Sequence, residues 1–510
     1  MLSIKKISNF SKMETNIDME VKMEMFKKYL DRTNMDHKQY QYDGVRWCLN
    51  NELRGDPLCN VRGGFIADEM GLGKTIMMIG LMYCHFVSRT LVIVPPILID
   101  QWFLQIYKTT GHKALIYHGD NKKRITLDEL SGARIVISTY GTITMSKKQI
   151  KEKDNGRDKE KGGTTMLHEL VWNRVIFDEA HHLRNSKTLG YISARLLRAK
   201  IRWLVSGTPV QNSKNDFYSL CALVGLPASF YTETENLRVL AKSFILKRTK
   251  KQVGIQMSDI HVDKSVVNWT NKKEMELAKD LHSALGFSGV KGVDGFGSIA
   301  DALCDKGILS LMLRAKQCCI YPKLLAKPLD KVLTMGKLVS MGKLGILDKN
   351  IFNCSSKLDA VVNRILERKG NGCGKLIFCH FREEIDEIAT RLRNGGMDKV
   401  DTFDGRTSNG KRCDILNEKN EALILQIQTG CEGLNLQENY SEIYFISPHW
   451  NPSVEDQAIA RCHRIGQTKP VYVQRFEMSS FEEDISSESF DKYINDVQEG
   501  KRIVASEILV

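Results

Sequence analysis

Residues 67–75 read ADEMGLGKT. Gly71 and Gly73 let the backbone curl tightly, so that its N–H groups can face phosphate oxygens. Lys74 adds a point charge for the β- and γ-phosphates. Thr75 offers a hydroxyl to Mg2+, and the helix starting there aims its positive end at the same place. The general phosphate-loop pattern asks for Gly where this chain has Asp68. The stretch VIFDEAHH at 175–182 supplies the complementary half. Its apolar strand delivers Asp178 and Glu179, one to hold Mg2+ through water and the other to orient and polarise an attacking water. The spacing from Lys74 suits two strands of one sheet with both motifs at their C-terminal ends, so the two stretches predict a parallel α/β fold.

The same alternation extends outward. Leu91–Val94, Arg134–Ser138, Arg174–Phe177 and Arg202–Val205 read as buried strands, each followed by a polar or Gly/Pro-containing turn. A second block places strands at Lys375–Cys379, Ala422–Ile427, Glu442–Ile446 and Val471–Phe476. Residues 250–350 lack the alternation. There, Lys272–Leu285 and Ile308–Cys319 read as helices, with a glycine-rich break at Gly286–Gly297. The reading is two RecA-like parallel-sheet lobes in tandem with a helical insert. The expected boundaries are a charged, partly helical leader at 1–34, lobe one at 35–250, insert and linker at 251–354, lobe two at 355–480 and a helical tail at 481–510. In that tail Phe481, Ile485, Tyr493, Ile494 and Val497 fall near helical spacing, which favours packing on the body. Lys147–Lys161 is almost wholly charged and reads as a solvated loop.

Composition narrows the function classes. Of 510 residues, 42% are apolar and 26% charged, as in a globular protein. No apolar run reaches membrane-spanning length and no secretory signal opens the chain, so an intracellular site without a membrane partner is expected. The net charge of +13 favours a polyanionic partner. The 13 cysteines form no C-x-x-C pair, which argues against a zinc finger or a disulfide framework.

With the two phosphate-site motifs in hand, the chain resembles helicase superfamily two, and more closely its Swi/Snf-type DNA-dependent ATPases, over residues 38–486. YQYDGVRW at 40–47 is similar to the adenine-side Q motif, and ADEMGLGKT to the family's own phosphate loop, in which Asp68 is expected. LVIVPPILIDQW (91–102), YHGD (117–120), ISTYGT (137–142), DEAH (178–181) and SGTPVQN (206–212) resemble the lobe-one motifs in order. KLIFCHF (375–381), FDGRTS (403–408), ILQIQTGCEGLNLQ (424–437) and HWNPSVEDQAIARCHRIGQ (449–467) resemble those of lobe two. One departure stands out: Thr429, Cys431 and Glu432 surround Gly430 where many members have Arg-Ala-Gly-Gly.

The resemblance implies an ATP-hydrolysing motor that translocates along double-stranded DNA. ATP and Mg2+ would be bound by Gln41 as adenine reader and by Asp68, Glu69, Met70, Gly71, Leu72, Gly73, Lys74 and Thr75, with Thr75 and Asp178 on the metal. Lys74, Asp178, Glu179, Gln457, Arg461 and Arg464 would be catalytic. The two arginines, three apart and read as one turn of helix, would reach the nucleotide from lobe two. His181 would couple the carboxylates to Ser206 and Thr208. Nucleic acid would meet Pro95, Gln101, Trp102, Thr139, Thr429 and Asn435, mostly through phosphates. Trp450 reads as buried packing. A strand-separating helicase, a transcription-termination or release ATPase of a DNA virus, an inactive binding scaffold and an RNA track are the alternatives. Further expectations are a monomeric motor, protein partners on chromatin, repair or transcription complexes, and a nuclear or viral-replication setting. The chain has none of the appendages of large remodellers, which makes it comparable to compact viral ATPases of the group.

Overall fold

Short β-branched runs that alternate with helices can bury both faces only as parallel sheets covered on each side. The computed structural model, which describes residues 18–54, 58–154, 165–209, 213–285, 307–328, 349–430, 434–481 and 488–508, contains two such sheets. The chain divides into two compact units, residues 1–256 with 503–510, and residues 257–502.

In the first unit the strands are β1 (Gly63–Ile66), β2 (Thr90–Val94), β3 (Leu115–Ile116), β4 (Ile135–Thr139), β5 (Val171–Asp178), β6 (Arg198–Val205) and β7 (Ile245–Leu246). Their spatial order is β3-β4-β2-β5-β6-β1-β7, and every pairing is parallel. Side chains alternate across the sheet as strand geometry requires. Leu91, Ile93, Val175 and Phe177 enter one core, while Val92, Val94, Ile176 and Trp203 enter the other. Residues 18–32 of the leader are helical and drive Met23, Phe26, Tyr29 and Leu30 into the second of these cores. Lys147–Asp154, expected as loop, is helical; the rest of that charged run lies outside the described residues.

The second unit contributes β8 (Ile260–Val267), β9 (Gly374–Cys379), β10 (Val400–Phe403), β11 (Ala422–Gln426), β12 (Tyr440–Phe445) and β13 (Val471–Met478), again all parallel, in the order β10-β11-β9-β12-β13-β8. Here the structure departs from the sequence reading. Strand β8 falls inside the span expected to lack strands, and it extends the second sheet in eight-residue register with β13. It is an edge strand with Ile260, Val262 and Val266 largely exposed and His261, Asp263 and Lys264 interleaved, so no apolar run marks it. Helices Lys272–Ser283 and Ile308–Ile320 follow as expected, while the glycine-rich break lies outside the described residues. The last helix, Phe490–Ile508, buries Phe490 and Ile494 in the second unit's core with Tyr493 packed beside them; Phe481 enters that core ahead of the helix, and Ile485 is not among the described residues.

One buried ion cluster fixes the first sheet at the end away from the phosphate turn. Glu52 accepts from Arg174 Nε (2.7 Å), Trp203 Nε1 (2.7 Å) and His85 Nδ1 (2.6 Å), with a second bond from Arg174 Nη2. Burial alone would push the pKa of the Glu52 carboxyl up, but Arg174, His85 and Trp203 outweigh it and hold the carboxyl below its usual range. Its stabilisation is therefore full above the ordinary carboxylate range and fades as pH falls through the depressed value. Glu52→Ala leaves Arg174 as an uncompensated buried charge, for an expected loss of roughly 3–5 kcal/mol at neutral pH. Urea unfolding measures this, and a loss near zero would show that the cluster does not hold the sheet.

Candidate active site

The C-terminal ends of β1, β5 and β6 converge on one place. After β1 the chain turns through Gly71 (φ 91°) and Gly73 (φ 78°), left-handed conformations that a side chain would strain. A Cβ at Gly73 would also lie 2.6 Å from Gln41 Nε2. Gln41 is buried, and its Nε2 donates to the Leu72 carbonyl at 3.5 Å, so the residue expected to read adenine lies against the phosphate turn. Gly73 caps helix Lys74–Cys84, whose N-terminal N–H groups open toward the turn. Lys74 Nζ donates to the carbonyls of Asp68 (2.9 Å) and Glu69 (3.5 Å). At Gly207, after β6, a Cβ would come within 3.4 Å of Lys74 Nζ, which ties the SGT turn to the same site.

Asp68 and Glu69 play different parts from those expected of phosphate-contacting residues. The fully buried Asp68 carboxylate is held by Arg248, with Nε at 3.1 Å and Nη2 at 2.6 Å. Arg248 also donates to the Tyr40 carbonyl at 2.5 Å. Glu69 accepts from the Lys250 backbone N–H at 2.8 Å and pairs with Lys250 Nζ at 3.2 Å. Both carboxylates therefore brace the turn from behind. Arg248 lies 180 residues from its partner, and no local pattern announces it.

Strand β5 ends in Asp178, 6% exposed. Its Oδ2 accepts from Trp102 Nε1 at 2.7 Å, its Oδ1 from the Glu179 N–H at 3.0 Å, and its carbonyl from the Tyr140 hydroxyl at 2.5 Å. Burial, and then the Glu179 charge, push the Asp178 carboxyl up to about 7, against the smaller opposing pulls of Trp102 and Lys74. With the Thr75 hydroxyl this carboxyl offers hard oxygen donors, a set that fits Mg2+ carried by phosphates and water rather than held in a protein cage. Glu179 adopts φ 52°, a left-handed backbone conformation uncommon for a residue with a side chain. His181 Nδ1 lies 3.3 Å from Glu179 Oε2 and 3.4 Å from Ser206 Oγ, and Ser206 Oγ accepts from the Thr208 N–H at 3.3 Å. One imidazole nitrogen thus lies between the Glu179 carboxylate and Ser206 of the SGT turn. Residues 210–212 of SGTPVQN lie outside the described residues.

Of the residues expected on nucleic acid, the structure leaves Gln101 and Asn435 exposed. Trp102 is a correction: it is 1% exposed and turned inward onto Asp178, because residue 102 falls on the apolar face of helix Ile99–Thr110. Thr139 is also buried, and its hydroxyl caps Tyr140–Ile143 through the Thr142 N–H (3.3 Å) and meets His118 Nδ1 (3.1 Å). Pro95 is buried at the end of β2. The side chain of Thr429 and residues Cys431 and Glu432 lie outside what is described.

In the second unit, Gln457 is buried on helix Pro452–Ile459. The helix ends there, so Arg461 and Arg464 stand on the turns that follow it and not on a helical face. Those turns are pinned from inside. Cys462 Sγ donates to the Tyr440 carbonyl at 2.7 Å, the Leu436 N–H to the Arg461 carbonyl at 3.1 Å, and Gln467 Nε2 to the carbonyls of Gln437 and Tyr440, both at 2.9 Å. Arg464 donates to Asn435 Oδ1, so a residue expected on nucleic acid steadies one expected at the nucleotide. Burial, then the Arg461 charge, hold the pKa of the Arg464 guanidinium below its usual value. Trp450, expected to be buried, is 41% exposed, with Lys501 Nζ 4.6 Å from its ring centre.

Comparison with known proteins places this geometry. The model described as SNF2-related domain matches residues 40–324, more than half of the chain, and that described as helicase conserved C-terminal domain matches 356–466. The "Probable global transactivator" of Orgyia pseudotsugata multicapsid polyhedrosis virus is 27% identical, over 94% of this chain and 92% of its own length. The ISWI chromatin-remodeling complex ATPase ISW2 of Saccharomyces cerevisiae is 26% identical over 86% of this chain, which spans 38% of that protein. A Sulfolobus solfataricus SWI2/SNF2 ATPase core, solved in complex with dsDNA, is 23% identical over 92% of this chain and 93% of its own, with a TM-score of 0.38. The chain belongs to the SNF2-related family, the Swi/Snf-type helicase-like ATPases of superfamily two.

Proposed function

We propose that this chain is a DNA-dependent ATPase that uses Mg-ATP to translocate along double-stranded DNA. The observation that carries the reading is the Asp178–Glu179 pair at the end of β5, with His181 Nδ1 between Glu179 and Ser206 and with Lys74 of the phosphate turn acting on Asp178. Relatives named for chromatin remodelling, DNA excision repair and DNA repair support a DNA track, and the viral protein named a probable global transactivator is matched over 92% of its length. Among the described residues, no helix is long and apolar enough to cross a membrane.

In this reading the turn's N–H groups and Lys74 hold the phosphates, while Gln41 stands where the base arrives. Asp178 and Thr75 would hold Mg2+, which when bound supplies charge neutralisation on the β- and γ-phosphate oxygens. Glu179 orients the attacking water and draws its proton. Gln457, Arg461 and Arg464 would complete the hydrolytic set, the arginines countering negative charge as the γ-phosphoryl leaves. Gln101 and Asn435 are the exposed candidates for phosphate contacts along the duplex.

Two outcomes test the proposal. ATP hydrolysis measured in parallel with duplex DNA, single-stranded DNA and RNA should rise most strongly with the duplex. Equal rates with and without nucleic acid would end the coupling claim, and a preference for RNA would reassign the track. Glu179→Gln should bind ATP and DNA as before yet lose roughly 10²–10⁴-fold in turnover, whereas Lys74→Ala should weaken ATP binding itself. Near-normal turnover in Glu179→Gln would place water activation elsewhere.

A further inference from the structure

Helix Ile99–Thr110 presents opposite faces at two adjacent residues. Gln101 is exposed, while Trp102 is 1% exposed and gives its indole N–H to Asp178 Oδ2 at 2.7 Å. The bond spans 76 residues of sequence and joins two side chains that are both almost fully buried. A tryptophan needs only apolar packing to be buried, so its one polar atom ending on the most demanding carboxylate of the site is a specific arrangement. Asp178 has two oxygens with about four acceptor directions. Trp102 takes one at Oδ2 and the Glu179 N–H takes one at Oδ1, which fixes the carboxylate plane and leaves the remaining directions for a metal. Tyr140 anchors the same residue by its carbonyl, so the backbone cannot follow if the side chain is released.

We infer that Trp102 is a positioning residue that holds the Asp178 carboxylate in its metal-binding orientation and makes Mg2+ affinity depend on the seating of helix Ile99–Thr110. The inference rests on the proposed function in taking Asp178 as the Mg2+ ligand. Without the indole N–H, a buried carboxylate oxygen has lost its donor, and the side chain gains by turning away from the metal. Trp102 touches neither nucleotide nor water in this scheme. Its effect runs through Asp178 alone.

The test titrates Mg2+ against binding of a fluorescent ADP analogue to the full chain, in wild type and in Trp102→Phe, which keeps the aromatic packing and loses the donor. Mg2+ should tighten the analogue on both proteins. The Mg2+-free affinity should match between them, and the Mg2+ concentration giving half the tightening should rise about ten-fold in the variant, as expected for one hydrogen bond to a charged group. Matching half-effect concentrations would overturn the inference while leaving the nucleotide site intact. A wild type whose affinity ignores Mg2+ would overturn the nucleotide-site reading and this inference together. A second measurement needs no variant. In wild-type chain labelled at its 6 tryptophan indoles, one N–H resonance should shift when Mg2+ joins the ADP complex and broaden when Mn2+ replaces it. If no indole resonance responds to either metal, Trp102 does not sit on the metal's carboxylate and the inference falls.

Discussion

Two adjacent carboxylates at the end of a buried parallel strand cannot both stay ionised without nearby positive charge. In this chain that constraint organises the first unit. Burial and the charge of Glu179 together raise Asp178, and Lys74 and the Trp102 indole answer only part of the cost. In the proposed function a metal-bearing phosphate ligand would add further positive charge here. The strands that bring these groups together are held at their other end by the buried Glu52–Arg174 ion pair. The first sheet thus carries a buried ion cluster at one end and the proposed nucleotide site at the other.

The second unit applies a related logic to arginine. Arg461 and Arg464 leave the helix Pro452–Ile459 and sit on turns whose backbone is tied by Cys462 and Gln467 to the strand at Tyr440. Turns pinned from within can present two like charges at fixed places, where a longer helix would dictate their angle. Asn435 adds a neutral acceptor to Arg464, so the guanidinium is steadied without being cancelled.

Much of this was legible in the sequence, because the interactions concerned are local. A glycine turn opening onto a helix, an apolar run ending in Asp-Glu-Ala-His, and the alternation of strands with helices each depend on neighbours within a few residues. What escaped depends on distant partners or on weak patterning. Strand β8 is an edge strand with exposed valines among charged residues, so neither an apolar run nor a half-buried alternation marked it. Arg248 braces Asp68 from 180 residues away. Trp102 sits in a stretch read as facing nucleic acid, yet its place on the apolar side of an amphipathic helix turns it inward. Trp450 was misjudged in the other direction, since an indole with Lys501 over one face can remain exposed. The helical reading of the two arginines failed because a spacing of three fits a helix only where the helix continues.

Under the proposed function, hydrolysis at Asp178 and Glu179 drives movement along intact duplex DNA. Displacement of a third strand from a triplex, placed far along a duplex from the loading end, measures this most directly. With ATP the wild-type chain should release the third strand while the underlying duplex stays paired, and neither a non-hydrolysable ATP analogue nor Arg464→Ala should do so. Vigorous duplex-stimulated hydrolysis with no triplex displacement, or displacement that proceeds equally without hydrolysis, would contradict the account.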